Sequence, residues 1–117
     1  MVNSFPKRGD IYWINLDPTI GTEIKKSRPC LVISNDIANV RYQQVTVLPL
    51  TSKNVKHVEP FQVFIGKKES GLGKDSKALA EQIRTVSKLR LVRPAGIISA
   101  ETLSQIDNAI RIHLALG

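Results

Sequence analysis

Short apolar runs separated by polar turns recur between residues 9 and 98 and predict a succession of β-strands. β-branched and aromatic residues are concentrated in these runs, and glycine, proline, asparagine or aspartate stands near their ends. By these signals we predict strands at residues 9–16, 29–34, 44–50, 61–65, 76–80, 82–86 and 91–98. Residues 78–81 would also suit a helix by propensity alone, so that stretch remains open between the two structures.

Capping residues and periodicity predict helical structure in three places. Residues 36–42 suit a helical turn capped by Asn35 or Asp36, and residues 87–90 suit one more. The clearest helix follows Ser99, a natural N-cap, and its apolar residues recur at three- and four-residue steps. That stripe consists of Leu103, Ile106, Ile110 and Leu114, widened by Ile112 and Leu116.

The connections carry their own signals. Pro49 lacks an N–H for a ladder hydrogen bond, so it predicts an edge strand or a bulge at residues 44–50. The segment 17–27 has no helical period and predicts a long functional loop, and the glycine-containing segment 66–74 predicts another loop. Many short strands and one terminal amphipathic helix together predict a mainly β fold with helices, in which the helix closes one side of a small sheet or barrel.

Composition and charge narrow the class of protein. The 117 residues suit a single domain spanning 1–117, and 42% of them are hydrophobic. The lone cysteine, Cys30, excludes an internal disulfide and suits a small core position. No run is long enough to span a bilayer and the first residues have no signal-peptide core, so we expect a cytoplasmic protein without a membrane partner. The net charge of +7 favours a polyanionic partner, either nucleic acid or an acidic protein.

Two boundaries between polar and apolar sequence indicate where that partner binds. The basic stretch 25–28 leads into the buried strand at 29–34, and the strand at 44–50 leads into Thr51, Ser52 and Lys53. If the two strands are neighbours, they bring Arg28 and Thr51 to one concave, positively charged surface.

Six short motifs, in order and spaced over most of the chain, are similar to those of the MazF/PemK family of toxin endoribonucleases. They are Arg8-Gly9-Asp10-Ile11-Tyr12-Trp13, Asp17-Pro18-Thr19-Ile20-Gly21-Thr22-Glu23, Arg28-Pro29, Ser34-Asn35-Asp36-Ile37, Leu50-Thr51-Ser52 and Gln82-Ile83-Arg84-Thr85. The resemblance implies an SH3-like small barrel of the CcdB/MazF type with a C-terminal helix, assembled as a homodimer. It also implies cleavage of single-stranded RNA at short sequences without metal or other cofactor, and an acidic MazE-like antitoxin that fills the RNA groove.

The same resemblance implies roles for individual residues. Arg28 and Thr51 match the catalytic arginine and threonine of the family, and Glu23 is the carboxylate nearest to Arg28 in the preceding loop. Glu23 is therefore either the general base or the partner of a simple ion pair with a neighbouring lysine. We predict RNA contacts from Lys25, Lys26, Asn35, Ser52, Lys53 and Gln82.

These residue types suit a reaction in which RNA supplies its own nucleophile, the 2′-hydroxyl. The enzyme needs only to align that group with the scissile bond and to stabilise charge on the phosphate. Arg28 can hold two phosphate oxygens with its planar fork, although its permanent charge makes it a poor base. Thr51 can donate a hydrogen bond as charge develops. The expected products are a 2′,3′-cyclic phosphate and a free 5′-hydroxyl.

The sequence gives less support to histidine acid–base catalysis or to a metal site. His57 and His113 do not form a convincing acid–base pair, and neither they nor Cys30 has metal-ligand spacing. Trp13 lies inside an apolar strand, so we expect it in the core, whereas Tyr42 stays open between core and RNA stacking.

Two alternative functions are considered for a chain of this composition. A CcdB-like gyrase poison would be expected to have a tryptophan near the C-terminus, where this chain ends in Ile112-His113-Leu114-Ala115-Leu116-Gly117. A non-catalytic RNA-binding barrel would share the basic composition. Incubation with RNA and EDTA separates the cases, because an enzyme produces fragments and a binder shifts an intact band.

Overall fold

The structure is a computed structural model that describes residues 5–23 and 26–117. In this part of the chain, seven antiparallel strands form a sheet in the order β4-β5-β3-β2-β1-β7, with β6 paired to β3. The strands are β1 (Asp10–Asn15), β2 (Ser27–Val32), β3 (Gln44–Thr51), β4 (Gln62–Ile65), β5 (Ser76–Leu79), β6 (Arg84–Ser87) and β7 (Leu91–Ile97). The helices are α1 (Asp36–Arg41), α2 (Lys67–Ser70) and α3 (Ala100–His113), with 3-10 turns at Ala80–Gln82 and Lys88–Arg90. This confirms the predicted mainly β fold with a C-terminal helix.

The two central strands are buried on both faces. Leu31 and Leu48 belong to the apolar cluster that packs against α3, which also contains Ile106. Cys30 and Val47 belong to a second cluster on the opposite side. Burial on both faces explains why β2 and β3 appear in the sequence as continuous apolar runs rather than as alternating patterns.

The prediction that Pro49 makes β3 an edge strand, or places a bulge there, is wrong. β3 pairs with β2 on one side, and on its other side it pairs first with β6 and then with β5. The β6 pairing ends at Val47 and the β5 pairing begins at Leu50. Pro49 therefore lies where β3 changes partner, and one side of the strand has no paired neighbour there, so the missing N–H is tolerated.

The segment 66–74, predicted as a loop, contains the four-residue helix α2. Gly71 ends this helix with a left-handed backbone (φ 74°). α2 packs so closely on β7 that a Cβ on Gly96 would stand 2.1 Å from the carbonyl oxygen of Ser70. Such a short turn, with glycines at both of its ends, has no periodicity from which to predict it.

α3 begins as predicted at Ser99, whose hydroxyl accepts the Thr102 N–H at 3.1 Å. The Glu69 carboxylate adds to this cap by accepting the Ser99 N–H at 2.7 Å, and this hydrogen bond lowers the pKa of Glu69. The apolar stripe is shorter than predicted. The helix ends at His113, and the three apolar residues Ile112, Leu114 and Leu116 are exposed. No helix in the described ranges is long and apolar enough to cross a membrane.

Candidate active site

The sheet brings Arg28 and Thr51 together. The β2–β3 ladder ends at the pair Cys30 and Pro49, and continuing its register by two residues puts Arg28 opposite Thr51. Both side chains line an open cavity of about 450 Å³, which we call the Arg28–Thr51 cavity. Its other lining residues are Gly21, Thr22, Glu23, Lys26, Lys53, Leu79 and Gln82.

Thr51 is the last residue of β3 and is buried, with 9% of its surface exposed. Its hydroxyl oxygen accepts the backbone N–H of Lys53 at 3.1 Å. Because that contact occupies a lone pair of the oxygen, the hydroxyl hydrogen is left for donation to another acceptor. The local turn therefore orients Thr51 as a donor in the cavity.

Arg28 lies on β2 opposite Ile14 of β1 and is half-buried. Two residues further along the same strand, Cys30 is fully buried. Burial raises the pKa of the Cys30 thiol to about 12, although the charges of Arg84 and Arg28 oppose that rise. The guanidinium of Arg28 thus stands at the edge of a dry core, where its charge is less screened than it would be in bulk water.

Glu23 comes from the segment between β1 and β2, whose described residues, 16–23 and 26, are here called the Glu23 loop. Its carboxylate accepts the backbone N–H of Ile20 at 2.6 Å, and its own N–H donates to the Ile20 carbonyl at 3.2 Å. The carboxylate thus closes a local turn while also lining the cavity. Of the two alternatives for Glu23, an ion pair with Lys26 is not formed within the described residues, and its other possible ion-pair partner, Lys25, lies outside them.

A further part of the lining comes from the loop between β3 and β4, residues 52–61, here called the Lys53 loop. Lys53 lines the Arg28–Thr51 cavity, and Gln82 reaches it from the end of a 3-10 turn. Among the lining residues of the described chain, Glu23 is the only carboxylate, against the cations Lys26, Arg28 and Lys53. The cavity is therefore suited to a polyanion.

A second cavity of about 310 Å³ adjoins the first, because Lys26 and Arg28 line both. Its other lining residues are Trp13, Ser27, Pro29, Leu50, Ser52, Leu72, Lys74 and Ser76. Trp13 was predicted in the core but is half-buried, with the Arg93 guanidinium 5.0 Å from its ring centroid. The β1–β7 register shifts on either side of Tyr12 and Trp13, so a simple alternation of faces could not assign this ring.

Comparison with known proteins places most of the chain in one family. Residues 7–114 match the family model described as PemK-like, MazF-like toxin of type II toxin–antitoxin system. The chain belongs to this toxin family. The family resemblance inferred from the six sequence motifs is thereby confirmed.

Two relatives are similar over nearly the whole chain. Endoribonuclease MazF9 of Mycobacterium tuberculosis is 44% identical over 115 residues, which cover 94% of this chain and 97% of the relative. Endoribonuclease EndoA of Bacillus subtilis is 40% identical over 110 residues, which cover 94% and 95%.

Solved structures show the same fold. MazF from Deinococcus radiodurans superposes with a TM-score of 0.83 at 24% identity, covering 97% of this chain and all of that one. An endoribonuclease in complex with its cognate antitoxin, from a mycobacterial species, superposes with a TM-score of 0.80 at 24% identity, covering 96% and 97%.

One of the predicted RNA-binding residues that the structure describes is not brought to these cavities. Asn35 instead caps α1, where its side chain accepts the Ala38 N–H at 2.9 Å, and it lines neither cavity. Lys25 lies outside the described residues. The other predicted residues, Lys26, Ser52, Lys53 and Gln82, line one cavity or both.

The remaining rings and histidines lie elsewhere. Tyr42 is 62% exposed at the end of α1. His57 contacts Glu59 at 2.8 Å on the surface, and His113 packs against Phe61 with ring centroids 5.7 Å apart. In residues 5–23 and 26–117, no three His, Cys, Asp or Glu side chains stand together as a metal site would require.

Proposed function

We propose that this member of the toxin family is an endoribonuclease that cleaves single-stranded RNA at short sequences without a metal ion. The observation that carries the proposal is that Arg28 and Thr51 line the same cationic cavity. The names of its two relatives, both endoribonucleases at 40% identity or more, support the same activity.

In the proposed reaction, the ribose 2′-oxygen attacks the adjacent phosphorus and forms a new O–P bond. The bond from phosphorus to the 5′-oxygen breaks, which yields a 2′,3′-cyclic phosphate and a 5′-hydroxyl. Arg28 holds two non-bridging oxygens, and Thr51 donates its hydroxyl hydrogen to an oxygen on which charge accumulates. A catalytic group that is held in place before the reaction acts mainly through its orientation. Arg28 is held on β2, and Thr51 is held at the end of β3.

The proton of the 2′-hydroxyl needs an acceptor, and Glu23 is the carboxylate that lines this cavity. We propose Glu23 as the general base, which requires its carboxylate to share or release the Ile20 N–H when RNA binds. The 5′-oxygen takes up a proton from water as it leaves. Arg28 is permanently charged and therefore cannot serve as the base.

RNA binding in the proposal uses both cavities. Lys26 and Lys53 contact phosphates, and the side chains of Ser52 and Gln82 contact base edges. The Trp13 ring, held under Arg93, offers a face on which a base can stack.

We further propose an acidic antitoxin as the inhibitor, because an acidic chain fits the same cationic cavity. One structural neighbour is described as an endoribonuclease in complex with its cognate antitoxin. The homodimer and the single domain expected from the sequence remain part of the proposal.

The test is incubation of the purified protein with a long single-stranded RNA in the presence of EDTA. We expect fragments at recurrent sites, 2′,3′-cyclic phosphate ends, and loss of cleavage in Arg28→Ala. Arg41→Ala, an exposed arginine on α1, is the matched control and should cleave as the parent does.

A strand with a single 2′-deoxy substitution at the cut site should resist cleavage there. Cleavage of that strand would exclude the 2′-oxygen as nucleophile. A shifted but intact RNA band would instead identify a non-catalytic binder.

A further inference from the structure

Lys77 is a buried lysine outside the cavity. It lies on β5 with only 5% of its surface exposed, and its ammonium donates to the His57 carbonyl at 2.7 Å. Lysines are rarely buried to this extent, because an ammonium loses favourable hydration unless a partner replaces it. The partner here is a backbone carbonyl in the middle of the Lys53 loop.

The position of Lys77 links that loop to Thr51. Lys77 and Thr51 are directly opposite in the β3–β5 ladder, so their side chains lie on the same face of the sheet. The Lys53 loop leaves the sheet at Thr51, and Lys77 holds it again at His57. The residues between these two points include Ser52 and Lys53, which line the two cavities.

The other hydrogen bonds of the Lys53 loop join residues that are close in sequence or lie where the loop meets β4. The His57 N–H donates to the Asn54 carbonyl at 3.1 Å, and the Glu59 N–H donates to the Gln62 side chain at 3.1 Å. Lys77 is the contact that joins the middle of the loop to the sheet strand beside Thr51.

We propose that Lys77 is a positioning residue that fixes the Lys53 loop through the His57 carbonyl and so holds Lys53 in the Arg28–Thr51 cavity. Lys77 does not line the cavity itself, so it acts through the loop rather than on RNA. The kinetic part of this inference rests on the proposed ribonuclease activity.

The first test does not involve RNA. Lys77→Met keeps the length of the side chain and removes its charge, and Lys68→Met removes the same charge from an exposed position on α2. Under limited trypsin digestion analysed by mass spectrometry, Lys77→Met should be cut after Lys53 and Lys56 about tenfold faster than the parent. That is the effect expected when one charge-assisted hydrogen bond is lost. Lys68→Met should be cut there at the parental rate.

The second test is kinetic. Lys77→Met should raise KM for single-stranded RNA about tenfold, the same scale of loss, with kcat changed less than threefold. Lys77→Arg, which keeps a cationic donor, should recover part of the loss. In a double-mutant cycle, Lys53→Ala should raise KM in the parent but add little in the Lys77→Met background, because the two changes remove the same contact.

Three results would overturn the proposal: parental trypsin cleavage in Lys77→Met, a lowered Tm with unchanged KM, or fully additive effects with Lys53→Ala. Should Lys77→Met fail to fold, Lys77→Gln replaces it in the same comparisons, because its shorter, uncharged side chain loses the contact with the His57 carbonyl while remaining polar. If the parent cleaves no RNA, the proposed function fails, while the trypsin comparison still decides whether Lys77 anchors the loop.

Discussion

Two loops border the Arg28–Thr51 cavity, and they are attached to the sheet in different ways. The Glu23 loop is held at its base, where Arg84 donates to the Leu16 carbonyl at 3.4 Å and Arg90 donates to the carbonyls of Asn15 and Asp17. The Lys53 loop is held near its middle, from the protein interior, by Lys77.

This difference predicts different behaviour when RNA binds. The base of the Glu23 loop is closed by the Leu16 N–H on the Lys26 carbonyl at 3.1 Å, yet Ile20 near its tip is 83% exposed. A segment with few buried contacts opens at a low cost in free energy. We therefore expect the Glu23 loop to adjust around RNA, while the Lys53 loop acts as a fixed wall.

The largest effect that tests this comparison is expected at Glu23. Glu23→Gln keeps an oxygen that can accept the Ile20 N–H but removes the proton acceptor, so kcat should fall by about 10²-fold or more. Single-turnover cleavage measures this directly. If Glu23 serves only to close its turn, the variant will retain parental kcat, and the base must be sought elsewhere.

The next largest effect is expected at Thr51, where the Lys53 loop begins. Thr51→Val removes the hydroxyl without changing the shape of the side chain, and kcat should fall about 10²-fold. Ser52→Ala, one residue further along, is the matched control and should mainly change KM. Equal loss of kcat in the two variants would contradict a specific donor role for Thr51.

A smaller effect separates the lysines of the two loops. Lys53→Ala should raise KM about tenfold and reduce the slope of log Kd against log salt by about 0.7, as expected for one lost phosphate contact. Lys26→Ala, at the base of the Glu23 loop, should raise KM only about threefold, because ordering the exposed tip of that loop around RNA offsets part of the contact energy on this side of the cavity. A larger effect at Lys26 would reverse the comparison.

The smallest effect is expected at Arg90. Arg90→Ala loosens the base of the Glu23 loop but leaves its other closing contacts, so kcat/KM should fall about threefold, the effect of a weak surface interaction. Arg111→Ala on α3 removes the same charge far from the loop and serves as the control. A loss greater than that of Lys77→Met would show that the Glu23 loop is the more critical wall.

Much of the fold could be predicted from local sequence. β2 and β3 could be predicted because both of their faces are buried, and such strands have continuous apolar sequences. Ser99 and Asn35 were recognised as possible caps because serine and asparagine side chains accept free N–H groups at a helix start.

The errors arise where tertiary context decides the outcome. The sequence around Pro49 does not show that β3 changes its pairing partner there. Nor does the apolar character of Ile112 and Leu116 show that both residues are exposed, beyond the packed part of α3. The Trp13 ring lies between two register shifts, which no periodicity predicts.

The candidate site was predictable only in part. Arg28 and Thr51 could be paired because each stands at the polar end of an apolar run on neighbouring strands. Lys77 was missed because a lysine within a short strand looks like a surface residue until its burial is known. Asn35 matched a family motif, yet its side chain is used to begin α1.

The buried Cys30 also gives the chain a built-in reporter. It is the only thiol in the sequence, and it lies two residues from Arg28 on the same strand. Since its high pKa and its burial both suppress alkylation, we expect labelling to proceed only in molecules where β2 has separated from its neighbours. The labelling rate, with and without a bound oligonucleotide, would then report how firmly substrate holds the strand that carries Arg28, without any engineered probe.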